Sequence, residues 1–201
     1  MPRMAGATAD QVGFVTRLIY RFARRDMSRV AGVSPDAMLE PLEIYGHVPA
    51  LLKAYGRMEQ ATGKLQGMPH RYMALAAMKT ATLVTCEYCI DLGSQIFRQL
   101  GLTDEELLDL PRYKSSPLFD ETDRLVMDYA VGMTRTPADV SETLFEALNR
   151  RFDEAQMVEL THMIAMENFR GRFGMAFDIG AAGFSEGMVC AVPVSPEPSE
   201  G

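Results

Sequence analysis

The stretch from His70 to Thr85 (HRYMALAAMKTATLVT) contains neither proline nor glycine and is rich in Ala, Met and Leu. Those residue types lose little freedom on entering a helix, so the run predicts a buried α-helix. Helical spacing continues through most of the chain, and the strict alternation of a half-buried strand persists almost nowhere. The expected fold class is therefore all-α.

Further helices follow from the same signals. Asp10 to Met27 places Val12, Val15, Leu18, Ile19 and Phe22 at helical spacing, with Arg21, Arg24 and Arg25 on the other side as a solvated face. Gly32 to Pro35 is a break, with Pro35 suited to a first helical position behind Ser34 as its cap. Helical character resumes over Ala37 to Tyr45, pauses near Pro49 and continues to Thr62, and Gly63 to Pro69 reads as a loop. A helix over Cys86 to Leu100 ends at Gly101, and Thr103 to Glu106 (TDEE) is a capping box that opens another. Phe119 to Met133, Ala138 to Arg150 and Asp153 to Phe177 complete the set. The ending VPVSPEPSEG has little to bury and reads as a disordered tail. The organisation expected is an N-terminal helical extension over residues 1–35, a helical domain over 36–185 and a flexible tail over 186–201.

Composition excludes several classes of function. With 201 residues, a net charge of −7 and 47% hydrophobic residues, the chain fits one globular domain with a real core. The acidic balance argues against nucleic acid and against an anionic membrane surface as partners. Apolar stretches are interrupted by charge well before a membrane-spanning length, and no secretory leader is evident. Three cysteines, Cys86, Cys89 and Cys190, are too few for a disulfide-stapled scaffold and suit a reducing, cytoplasmic setting. The 15 methionines read as adaptable core filler.

The chemistry is expected at Thr85-Cys86-Glu87-Tyr88-Cys89-Ile90-Asp91. A helix beginning near Thr85 puts Cys86 and Cys89 at i and i+3, on one face. Free N–H groups and the positive end of the helix dipole stabilise a thiolate there. A thiolate with a thiol three residues away can attack a peroxide or a disulfide and then close a disulfide itself. The plain alternative is a pair of small buried apolar residues. Zinc would need four ligands, and the chain has no second CxxC and only isolated histidines, His47, His70 and His162. Neither metal nor cofactor is expected.

Other features carry less. Glu159 and His162 form one Glu-x-x-His pair, where a di-iron bundle needs two. Cys190 reads as a packed thiol or an extra resolving one. Arg170 and Arg172, inside a Met-rich helix, fit an interface, a cleft or solvent.

The stretch MALAAMKTATLVTCEYCIDLGSQIFRQLGLTDEEL resembles the core of the carboxymuconolactone decarboxylase and AhpD-like alkylhydroperoxidase family, and FDEAQMVELTHMIAMENFRGRFGMAFDIG is similar to that family's C-terminal helix. The resemblance covers about residues 40–185. It implies an AhpD-like helical bundle that assembles as a homo-oligomer (dimer, trimer or hexamer). It also implies peroxiredoxin activity on organic hydroperoxides, with Cys89 attacking, Cys86 resolving and an external dithiol protein as electron donor. The family motif places a Glu twelve residues before the first cysteine and a His four after the second. Those positions are Ala74 and Gly93 here, and neither can relay a proton. Candidate supporting residues are Tyr88, Glu87, Asp91, Lys79 and His162, with His70 and Glu167 on the flanking helices. Each also fits an ordinary surface or core position. Two other readings stand beside the peroxidase: a decarboxylase-like lyase that leaves the cysteines idle, and a redox-responsive oligomer that turns nothing over.

Overall fold

The computed structural model describes residues 2–191 and 193. Among these the chain forms nine α-helices and two short 3-10 turns: α1 (Phe14–Ala31), a turn at Asp36–Leu39, α2 (Glu40–Gly46), α3 (Pro49–Thr62), α4 (His70–Val84), α5 (Glu87–Gln99), α6 (Asp104–Asp109), a turn at Leu110–Arg112, α7 (Glu121–Thr134), α8 (Glu142–Asn149) and α9 (Glu154–Phe177). The starts are fixed by local chemistry. Thr103 and Glu106 make the expected capping box at α6, and the same reciprocal bonding joins Asp120 to Asp123 at α7 and Asp153 to Gln156 at α9. Each box satisfies two N–H groups that the first turn would otherwise leave orphaned.

The Ala- and Met-rich α4 is the central element. Leu75, Ala76, Ala77 and Met78 are all sealed from solvent, and α5, α7 and α9 pack around it. Its small side chains let three neighbours approach at once, which is how a helix apolar on every side is accommodated.

The terminal regions depart from the expected organisation. The N-terminal extension is part of the core: Tyr20 and Ala31 of α1 are buried in one cluster with Cys86 and Tyr88. The inward face of α1 is Thr16, Tyr20 and Ala31, whereas Val15, Leu18 and Phe22 point outward. Tyr20 wins the inward position because its hydroxyl donates to the Ala7 carbonyl (2.9 Å), so the polar tip is satisfied while the ring is buried. At the other end, the expected tail begins later than residue 186. The Ala191 N–H donates to Ser94 Oγ (3.0 Å), Arg98 bonds the Val189 carbonyl, and Ala191 is buried against α5. The remainder of the expected tail, 192 and 194–201, lies outside the described residues.

Candidate redox site at the start of helix 5

The turn from α4 to α5 is made by one residue. Thr85 adopts φ 59° and ψ 32°, in the left-handed region, where a β-branched residue is uncommon and is held by its surroundings. The turn delivers Cys86 in an extended conformation as the N-cap of α5, where its Sγ accepts the Cys89 N–H at 3.3 Å. Sulfur thus takes the place usually filled by a Ser or Asp oxygen. The second sulfur follows one turn later on the same face.

Two glycines of α9 hold Cys86 from the other side. A Cβ on Gly174 would stand 3.4 Å from Cys86 Sγ, and one on Gly171 would stand 2.8 Å from Val84 Cγ1. Only hydrogen at position 171 lets α9 lie this close. Cys86 is consequently 2% exposed, while Cys89 is only partly buried.

The two thiols are pushed apart electrostatically. The hydrogen bond from the Cys89 thiol lowers the Cys86 pKa, with further help from the Cys89 and Tyr88 backbone N–H groups, against the opposing effects of burial and Glu167. The same shared proton raises Cys89 well above its ordinary value, and burial and the Glu167 carboxylate raise it further. The dithiol therefore behaves as one unit that holds its last proton on Cys89.

The positions of the missing family residues are closed. Ala74 is fully buried in a cluster with Leu75, Met78 and Ile90, against which Cys89 packs. A Cβ on Gly93 would meet Met78 Sδ at 2.6 Å, so a side chain there would require Met78 to move.

Charge reaches the cysteines from α9 and α3 instead. Glu167 is 7% exposed, and its carboxylate raises the Cys89 pKa. Arg170 binds Glu167 at 3.0 Å and grips Glu59 of α3 with two bonds of 2.6 and 2.8 Å. Burial alone would raise the Glu59 pKa, but the Arg170 bonds and charge, the Tyr55 hydroxyl and His162 lower it. Tyr55 is pushed upward by burial and by Glu59. Beside this network Tyr45 is stacked between Tyr55 (centroids 4.8 Å apart) and Phe173 (4.1 Å), and its buried hydroxyl has no protein partner. These rings belong to the same apolar cluster as both cysteines.

The expected supporting residues divide sharply. Asp91 is structural: its carboxylate accepts the N–H groups of Ala182, Gly183, Phe184 and Ser185 at 2.7 to 3.0 Å, which ties the C-terminal segment to α5. The Tyr88 hydroxyl is spent on the Met38 carbonyl (2.5 Å). Glu87 is exposed. Lys79 donates to the Leu110 carbonyl (3.1 Å) and lies over the Tyr113 ring, away from the sulfurs. His70 is exposed at the first position of α4. His162 pairs with Thr62 Oγ1 at 2.7 Å at the far end of the Glu59 network, while Glu159 accepts the Gly67 and Met68 N–H groups, so the Glu-x-x-His pair does not converge on a common site. Arg172 bonds the Thr134 carbonyl, and Cys190 packs against the α4/α5 cluster. Glu167, noted in the sequence only as lying on a flanking helix, is the residue the fold brings to the thiols. Its signal, a Glu three residues before an Arg, is too common on helices to stand out. Among the described residues no group of three or more His, Cys, Asp or Glu is arranged to hold a metal, and no helix is long and apolar enough to cross a membrane.

Residues 49–132 match the carboxymuconolactone decarboxylase family. The uncharacterized protein YnjA of Escherichia coli K12 is 28% identical over 160 residues, covering 78% of this chain and 84% of YnjA. Among solved structures, the apo form of the debrominase Bmp8 superposes with a TM-score of 0.71 at 20% identity, covering 86% of this chain and 91% of that one. An uncharacterized peroxidase-related protein with an alkylhydroperoxidase AhpD core, from Ralstonia eutropha JMP134, superposes with a TM-score of 0.67 at 17% identity over 98% of both chains. At those identities the structures establish a shared fold.

Proposed function

We propose that this chain, whose residues 49–132 match the carboxymuconolactone decarboxylase family, is an AhpD-like member of that family and a thiol-dependent oxidoreductase that reduces organic hydroperoxides through Cys89 and Cys86 at the expense of an external dithiol. The observation that carries this reading is the Cys86 Sγ acting as N-cap to the Cys89 N–H at 3.3 Å, which gathers both sulfurs at the positive end of α5. That end stabilises negative sulfur, and thiolate is the form that attacks.

Access and acidity are divided between the two cysteines. Cys86 holds the lower pKa but is sealed, whereas Cys89 holds the proton and is the more exposed. Cys89 is therefore the attacking sulfur once its proton has moved away. Its thiolate attacks the terminal peroxide oxygen, the S–O bond forms as the O–O bond breaks, and the alkoxide leaves as an alcohol after taking up a proton. The product is Cys89 sulfenic acid, two electrons having passed from sulfur to peroxide. Cys86 thiolate then attacks that sulfur, forming the disulfide and releasing hydroxide, which solvent protonates to water. The external dithiol reduces the disulfide and is itself oxidised. The stacked rings of Tyr55, Tyr45 and Phe173 favour a peroxide with an organic body. Exposed apolar side chains, including Val158 and Phe169 of α9, Met58 and Phe145, favour burial against a second copy of the chain.

Intact-mass measurement after one equivalent of organic hydroperoxide tests the reading. The reduced protein should lose two hydrogens. Cys89→Ser should abolish the reaction, and Cys86→Ser should instead gain one oxygen. A wild-type protein unchanged in mass, or a Cys89→Ser variant that still consumes peroxide, rejects it.

A further inference from the structure

We propose that Glu167 is the proton acceptor for Cys89, and that Arg170 and Glu59 position it, so that α9 and α3 supply the relay that Ala74 and Gly93 lack. This inference rests on the dithiol reading above and adds to it a catalytic group from a different part of the chain.

The placement follows from helix geometry. Glu167, Gly171 and Gly174 are separated by four and three residues, so they lie along one face of α9. The two glycines are the positions that meet Val84 and Cys86, so Glu167, one turn earlier, lies on the face that α9 turns toward the junction of α4 and α5. The Glu167 carboxylate raises the Cys89 pKa by its charge and is gripped by Arg170 at 3.0 Å. Arg170 is in turn held by the two short bonds to Glu59. A carboxylate almost removed from water, on the helix face that meets the dithiol turn and fixed by a guanidinium anchored elsewhere, is the arrangement that general-base catalysis requires.

Cys86 apart, the surrounding groups among the described residues leave Glu167 as the available acceptor beside Cys89. On α5, Asp91 is occupied by four backbone N–H groups, Tyr88 by a carbonyl, and Glu87 faces solvent. On α4, Lys79 points toward Leu110. On α3, Glu59 and Tyr55 are engaged with Arg170 and with each other, and His162 stands beyond them against Thr62. On α2, Tyr45 is edged by Glu59 and lacks any partner of its own.

The proton balance closes. Glu167 takes the proton from the Cys89 S–H as the sulfur–oxygen bond forms, then returns it to the departing alkoxide, which leaves as the alcohol. Glu167 ends the step as it began. Cys86, the more acidic of the two thiols, is then ready to resolve the sulfenic acid.

The test uses the full-length reduced protein, tert-butyl hydroperoxide and the variants Glu167→Gln and Glu167→Asp. Two quantities are read: the rate of disulfide formation, and the rate of Cys89 alkylation by iodoacetamide as a function of pH, located by peptide mass. Removing the negative charge should lower the alkylation midpoint of Cys89, because an anionic neighbour raises a thiol pKa. The same Gln variant should form the disulfide at least about tenfold more slowly, since a positioned base contributes on the order of a hundredfold or more. The Asp variant should recover part of that rate. A purely structural role cannot make the thiol easier to ionise and slower toward peroxide at once. A Gln variant as fast as wild type, an unshifted midpoint, or an Asp variant no better than Gln overturns the proposal. Wild-type protein inert to the hydroperoxide overturns the peroxidase reading instead, and the alkylation profiles then still decide whether Glu167 governs Cys89.

Discussion

The cysteine pair has two unlike sides. Toward α4 it meets Ala74, Met78 and Ile90 in a dry, close-packed wall that a Cβ at Gly93 would already overfill. Toward α9 and α3 it meets a partly buried chain of charge, Glu167 to Arg170 to Glu59 to Tyr55. The difference teaches that the polar support for a dithiol need not come from the helices that carry its motif. Here the motif helices supply shape, and a helix eighty residues further along supplies charge.

Three substitutions would break or sharpen that contrast. The largest effect is expected for Arg170→Met. It leaves the buried Glu167 and the partly exposed Glu59 without their shared cation, so the cost should fall at the low end of the about 3–5 kcal/mol for breaking a buried ion pair. Urea denaturation should show the loss, and survival of full stability would mean that the charged side is far wetter than its burial indicates. Gly93→Ala comes next. The added methyl must displace Met78 Sδ, an overpacking cost of about 1–3 kcal/mol, seen as a lower unfolding temperature. A neutral result would show that the dry wall can yield and that a relay residue was not excluded by space.

The smallest effect is expected at Lys79, the one buried cation of α4. Burial first, and then the charge of Lys114, lowers its pKa to about 8. The unfolded chain holds that proton up to about 10.4. Between those values the unfolded state binds more protons than the native state, so stability rises with pH across that window. Below about 8 the buried charge is a standing cost. Lys79→Met should therefore stabilise the protein near neutral pH by about 1 kcal/mol, the gain being trimmed by the lost bond to Leu110. The advantage should shrink as pH rises through that window, which denaturation curves at several pH values would show.

The sequence made the helices readable because their determinants are local. The Thr103–Glu106 box, the Pro- and Gly-free run of α4 and the i, i+3 cysteines all act within a few residues of themselves. It was less informative about α1. The spacing of Val15, Leu18 and Phe22 describes an apolar stripe, yet the inward face is chosen by Tyr20 because a carbonyl waits for its hydroxyl. The candidate site was half legible for the same reason. Cys86 and Cys89 announce themselves by spacing. Glu167 does not, because its meaning depends on Glu59, whose contact with Arg170 spans 111 positions of sequence. Asp91 misled in the opposite sense: its nearness to Cys89 in sequence suggested a helper, but its carboxylate is consumed by residues more than ninety positions away.

That Asp91 clamp bears on where the chain can be cut. The family-matched stretch 49–132 contains the cysteines, α4 and α5, and would be the natural choice for a minimal fragment. Yet ending there removes the four N–H donors from Asp91, the guanidinium from Glu59 and the glycine notch from Cys86. The excised piece would inherit two carboxylates in apolar surroundings with nothing to neutralise them. Conserving the motif and conserving an autonomous folding unit are thus different requirements, and for this chain a fragment that keeps the site must run through at least residue 185.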